Sequence, residues 1–169
     1  MNNISGQGHR IPGAQRLFRV IFTCCWAGLI FYLSTGTFGG RFSGVVLSTI
    51  LHLLRIHVTP PTFALLHHYF RKAAHLTEYC IFGLLIFASI QAREDLYWDP
   101  RTALWSVMLA GSYSLTDEFH QIFVPGRGPS LVDCGIDTTA ALLGMLLIWS
   151  VSKVRQMSRE RRQATVSAG

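Results

Sequence analysis

Apolar positions fall along this chain in four long runs, and none of the runs leaves a face for water. Residues 17–33 are uncharged after Arg19, and residues 134–151 form a second apolar run near the other end, with Asp137 as its one charged residue. Between them, residues 73–91 are apolar towards their C-terminal end but carry His75 and Glu78 near the start. Residues 102–123 do the reverse, ending on Asp117, Glu118, His120 and Gln121. A soluble amphipathic helix breaks such runs every few positions with polar residues on its outer side, whereas a helix crossing the hydrocarbon core needs about 20 mainly apolar residues. The pattern predicts an all-α polytopic membrane protein with four transmembrane helices. The charges of the middle two are tolerable at the interface or inside the bundle.

The first connection, 34–69, is long for a loop. Gly36, Gly39, Gly40 and Gly44 loosen its start. Residues 45–56 then read as a short apolar helix, interfacial or re-entrant because it is too short to span. Pro60 and Pro61 end it and suit the first turn of a helix that runs straight into the second span. The basic lead before residue 20 is leader-like, but no A-x-A site follows and further spans do, so the first span is expected to stay.

Composition sharpens this picture. Half of the 169 residues are hydrophobic and 14% are charged, against about 25% charged in an ordinary soluble domain. The chain divides into an N-terminal arm (1–16), one membrane domain (17–151) and a basic tail (152–169), expected to be a flexible segment attracted to anionic lipid. Ten of the fifteen basic residues lie before residue 20, in the connection after the second span, and in the tail. Four spans put those three regions on one side, so both termini are predicted in the cytoplasm of a multi-pass cell-membrane protein. The net charge of +6 is thereby a topology signal. Membrane lipid is the expected partner, and nucleic acid is not. The four cysteines form no C-x-x-C pair and read as buried free thiols. Gly135, Ala140 and Gly144 offer small lipid-facing residues for a homo-oligomer. No phosphate loop and no G-x-S-x-G turn occurs, and no cofactor is expected.

Three polar clusters fall at one membrane level. In the first, Arg71, His75 and Glu78 are spaced i, i+4, i+7 and share a helix face, with Lys72 beside them. In the second, Asp117, His120 and Gln121 are read as one face, with Glu118 pointing elsewhere. The third is the tight loop 125–133 carrying Arg127, with Ser130 as helix cap, Asp133 three residues on and Asp137 one turn later. Spans two and three run in opposite directions, so the start of one meets the end of the other. Mutual pairing lowers the cost of ionisable groups so near the bilayer.

R-K-x-x-H-x-x-E-Y at 71–79, D-E-x-H-Q-x-F-V-P-G-R at 117–127 and S-L-x-D at 130–133 together resemble the VanZ-like membrane protein family, over roughly residues 17–151. The resemblance implies the membrane fold and the polar site. That family is best known for a member giving low-level resistance to the glycopeptide teicoplanin. Where the family commonly has Asn a few residues after the S-x-x-D aspartate, this chain has Asp137, an added negative charge.

Two main readings of the site follow. Arg71, Glu78, Asp117, His120 and Arg127 could be a structural ion-pair network pinning helix ends together. Alternatively they form an envelope-facing site that binds or modifies an anionic lipid-linked or cell-wall precursor. Arg71, Lys72 and Arg127 would then hold phosphate or carboxylate. His75, Glu78, Asp117 and His120 would supply acid–base chemistry, and Glu118, Gln121, Ser130, Asp133 and Asp137 would contact the ligand. A metal-assisted hydrolase using His75, Glu78, Asp117, Glu118 and His120 is disfavoured by the three nearby cations, so no metal is expected. A small proton-coupled carrier is the remaining alternative. His52, His57, His67 and His68 read as structural or interfacial, and Tyr79, Phe119 and Phe123 as packing residues.

Overall fold

A computed structural model describes residues 11–35, 39–91, 97–124 and 129–167. Every regular element among them is an α-helix: α1 (Gly13–Ser34), α2 (Gly39–Leu53), α3 (Pro60–Ile90), α4 (Pro100–Gln121) and α5 (Leu131–Ser167). α1, α3 and α5 are long and apolar enough to cross a membrane. The surface agrees with them: Phe18, Trp105, Phe119, Phe123, Leu131 and Leu147 are each more than half exposed. So many large apolar side chains on the outside would be an aggregation hazard in water and are the normal outer coat of a protein in lipid.

Local chemistry sets the ends of the helices. Pro60 and Pro61 open α3, where the missing N–H costs nothing. α2 hands over to it through Arg55, whose φ of 56° is left-handed. The Asp99 carboxylate caps α4, accepting from the Thr102 amide at 3.0 Å and from the Thr102 hydroxyl. Ser130 caps α5 through the Asp133 amide at 3.2 Å, as the sequence predicts.

α3 is the hub, packed along α5 and against α1 and α4, with α2 resting mainly on α3. α3 and α5 run parallel: Lys72 meets Asp133, His75 meets Asp137, and Phe87 packs with Met145 and Ile148. They approach closely in the middle, where a Cβ on Gly144 would lie 2.9 Å from the Cys80 carbonyl oxygen and one on Gly83 would lie 3.1 Å from Ala141. α1 is tied on by polar contacts between helices, which bundles in lipid use as glue. Thr23 and Ser89 hydroxyls lie 2.8 Å apart, the Trp26 indole donates to the Glu78 carbonyl at 3.1 Å, and Tyr113 donates to the Ala27 carbonyl at 2.6 Å.

Several sequence expectations need correction. The tail is helical as far as Ser167, continuous with the last apolar run. It has neither Gly nor Pro from 145 to 167, and its Arg, Lys, Gln and Met residues extend an already nucleated helix cheaply. α2 begins at Gly39, so Gly39, Gly40 and Gly44 lie inside it. Ala140 and Gly144 are buried against the rest of the molecule and do not face lipid; of the three proposed contact residues only Gly135 is exposed. Cys24 and Cys25 are exposed, Cys80 half-buried and Cys134 buried, all as free thiols.

Candidate functional site

The polar residues gather where the end of α1, the middle of α3, the end of α4 and the start of α5 come together. α4 reaches this place through an unusual face. Thr102, Ala103, Ser106, Ala110, Ser114, Asp117, Glu118 and Gln121 are its buried residues, while Leu104, Trp105, Met108 and Leu115 point out. Small and polar residues thus face the bundle and large apolar ones face away. The charges at its end are carried inward by the same stripe.

Each buried carboxylate meets specific donors. Asp117, 3% exposed, accepts from the Ser34 hydroxyl of α1 and from the Gln121 amide at 3.3 Å. Asp137, 1% exposed, accepts from Ser114 at 2.7 Å; its other oxygen has no hydrogen-bond partner among the described residues and lies 3.7 Å from His75 Nδ1. Glu118 accepts from the Ser130 amide at 2.6 Å and so fastens α4 to the start of α5. Lys72 and Asp133 form a fully charged pair at 2.7 Å, each about one-third exposed. Tyr79 is wholly buried, with a hydroxyl that has no hydrogen-bond partner among the described residues.

Two of the cavities along α3 are lined by both Arg71 and His75. The larger, about 220 Å³, lies between α1, α2 and α3, with an apolar wall that includes Ile30, Leu33, Phe42 and Val46. Arg71, His75 and Glu78 line it together, as their shared helix face predicts. The smaller, about 90 Å³, is lined by His68, Arg71, Lys72, His75, Asp133, Ile136 and Asp137. Arg71 and His75 therefore stand between the two. Arg71 is half-buried, and its guanidinium forms no hydrogen bond or ion pair among the described residues.

The family model for VanZ/LLP1 matches residues 18–152. The chain belongs to the VanZ/LLP1 family. No curated protein matches it, and no solved structure does. In this VanZ/LLP1 chain the matched stretch holds all the clustered residues, from Ser34 at the end of α1 to Asp137 in α5.

The geometry sorts the sequence-derived site residues. Arg71, Lys72, His75, Asp133 and Asp137 come together around the smaller cavity. Asp117, Glu118 and Gln121 are all buried, which corrects the expectation that Glu118 points elsewhere. On a 100° wheel, 114, 117, 118 and 121 fall within one arc centred on the small-residue stripe, and 120 falls outside it. His120 accordingly turns to α1 and packs on Phe31, ring centroids 4.5 Å apart, with no hydrogen bond or ion pair among the described residues. Phe119 and Phe123 pack on each other at the surface. Arg127 lies outside the described residues. Among the described residues no three His, Cys, Asp or Glu side chains are grouped to hold a metal ion.

Sequence reasoning missed Ser34 and Ser114, which hold Asp117 and Asp137, and the α2 residues that wall the larger cavity. The signal for Ser114 was present in the spacing 102, 106, 110, 114. Ser34 had none beyond its place at the end of an apolar run.

Proposed function

We propose that this protein crosses the membrane four times, with both termini in the cytoplasm, and binds an anionic group at a site near its outer face. The parallel packing of α3 and α5 supports the count. If both cross, the chain between them must return across the membrane, and α4 is the helix available. Its 22 residues extend about 33 Å, and its outward apolar side suits lipid. The Lys and Arg bias supports the orientation.

The observation that carries the anion site is Arg71. A half-buried guanidinium with no partner among the described residues, standing between two cavities, is suited to a bidentate contact with phosphate or carboxylate. Lys72 supports it from the smaller cavity, although Asp133 shares its charge. His75 and Glu78 are the acid–base candidates that share a cavity with Arg71, and Arg127, which lies outside the described residues, stays a candidate for the same anion on sequence grounds alone. The buried carboxylates Asp117 and Asp137 take hydroxyl and amide donors, while the Lys72–Asp133 pair between α3 and α5 is the contact that favours the helix-pinning reading. The natural ligand would be an anionic lipid-linked or cell-wall precursor, and a contribution to teicoplanin tolerance is one cellular consequence to assay.

Substituting Arg71→Gln in protein reconstituted in phosphatidylcholine nanodiscs should weaken phosphate binding at least tenfold while leaving membrane abundance and melting temperature near those of the parent. Unchanged binding would remove Arg71 from the site. Loss of protein in place of loss of binding would return it to a structural role.

A further inference from the structure

The two cavities that share Arg71 differ in character, and the difference specifies the ligand more closely than its charge does. The smaller is bounded by the side chains of His68, Arg71, Lys72 and His75 together with two aspartates. It presents the Arg71 guanidinium and the Lys72 ammonium beside the carboxylates of Asp133 and Asp137, and its about 90 Å³ is several times the 10–15 Å³ that one water requires. The larger is walled mainly by apolar side chains, and only its α3 edge is strongly polar. α2 forms one of its walls, through Phe42, Ser43 and Val46. Ser43 also reaches across to His67 at 2.8 Å, which fixes α2 on α3.

We infer that the anion bound here carries an apolar chain: the site takes a single-chain phosphorylated lipid, with its phosphate at Arg71 and Lys72 and the first part of its chain in the cavity under α2. This deepens the anion-site reading and rests on it. A free phosphate would use only the cationic side and leave the apolar cavity unfilled. A neutral lipid would fill the cavity and leave Arg71, in a partly buried place, with no direct partner among the described residues, which is costly. An amphiphile satisfies both at once, because Arg71 lies on the border and can hold the phosphate while the chain passes it. Burial of the chain adds a favourable term that inorganic phosphate lacks.

Binding of three probes to protein in phosphatidylcholine nanodiscs tests this: monoacyl lysophosphatidic acid, the matching monoacylglycerol without phosphate, and inorganic phosphate. Lysophosphatidic acid is expected to bind at least tenfold tighter than either of the others. Val46→Trp, which fills the cavity from α2, should weaken lysophosphatidic acid at least tenfold and leave inorganic phosphate unchanged. Ala74→Leu does the same from α3 and guards against a local defect in α2; both variants are scored only with a parental melting temperature. Arg71→Gln should weaken both phosphorylated probes. If the filled variants bind lysophosphatidic acid as the parent does, or if it binds no tighter than phosphate, the chain does not enter the cavity, while the anion site stands. If Arg71→Gln leaves both phosphorylated probes unaffected, or monoacylglycerol binds as tightly as its phosphorylated counterpart, the anion site itself falls.

Discussion

At the scale of single residues, the site combines deep burial of carboxylates with sparse pairing. Asp137 shows this most clearly, with one oxygen on Ser114 and the other facing His75 at a distance too long for a direct hydrogen bond. An ionised carboxylate in such a place carries a desolvation cost that only good pairing repays. Asn is the residue the family resemblance leads one to expect here. It keeps an acceptor for Ser114 and offers an amide N–H towards His75. Asp137→Asn is therefore expected to raise stability, by about 1 kcal/mol, read as a higher melting temperature in detergent. A lower one would mean that the negative charge of Asp137 is needed to hold a protonated His75. Much of this site was legible in the chain. The spacing of Arg71, His75 and Glu78 put them on one face, and they line one cavity. Glu118 and His120 were misassigned because neighbours of Asp117 on either side fit a helical face equally well. The small-residue stripe that decides between them becomes meaningful once α4 is known to face its apolar side outward.

At the scale of helices, the tightest constraint is the approach of α3 and α5. Gly144 has no room for a side chain, because the obstacle is the Cys80 backbone carbonyl and cannot swing aside. Gly144→Val should separate the two helices and destabilise the protein by about 1–3 kcal/mol, measured as lost melting temperature and as loosened Lys72–Asp133 proximity in a cross-linking assay. An unchanged melting temperature would show that the helices do not pack this closely. A second, smaller device sits at the other end of the bundle. The Thr102 hydroxyl, with help from the backbone, holds the Asp99 carboxylate below its ordinary value of 3.8. A depressed carboxylate contributes stability that is complete above that value and is lost as pH falls through the folded-state one. The parent should thus lose this increment below about pH 3.8, whereas Asp99→Asn should show no such step. Asp99→Ala should cost about 1 kcal/mol at neutral pH. The helices themselves were largely predictable from apolar runs and proline positions. The helical tail was not, because basic composition says where a segment goes more readily than whether it coils.

For the whole molecule, the register of α3 against α5 ties topology to the position of the site. With Lys72 beside Asp133 and Phe87 beside Met145 and Ile148, the first turns of α3 overhang the start of α5, and the last turns of α5 run past the end of α3. α3 is about 46 Å long and α5 about 55 Å, both more than a hydrocarbon core of about 30 Å needs. The two overhangs leave at opposite ends. The α5 overhang carries Lys153, Arg155, Arg159, Arg161 and Arg162, which favours the cytoplasmic side and directs the α3 overhang, with α2 beside it, outward. Single cysteines in a cysteine-free background test the arrangement, since Tyr97, Pro129 and Glu160 are all exposed. An impermeant thiol reagent on intact cells should label Pro129→Cys at once, and Tyr97→Cys and Glu160→Cys only after permeabilisation. Labelling of 97 and 129 from the same side would mean that α4 does not cross. Because α3 and α5 lie parallel, one of them would then have to remain out of the membrane as well. Labelling of 97 and 160 from outside with 129 protected would invert the molecule, leaving the proposed anion site possible but restricting its ligands to those of the cytoplasmic leaflet.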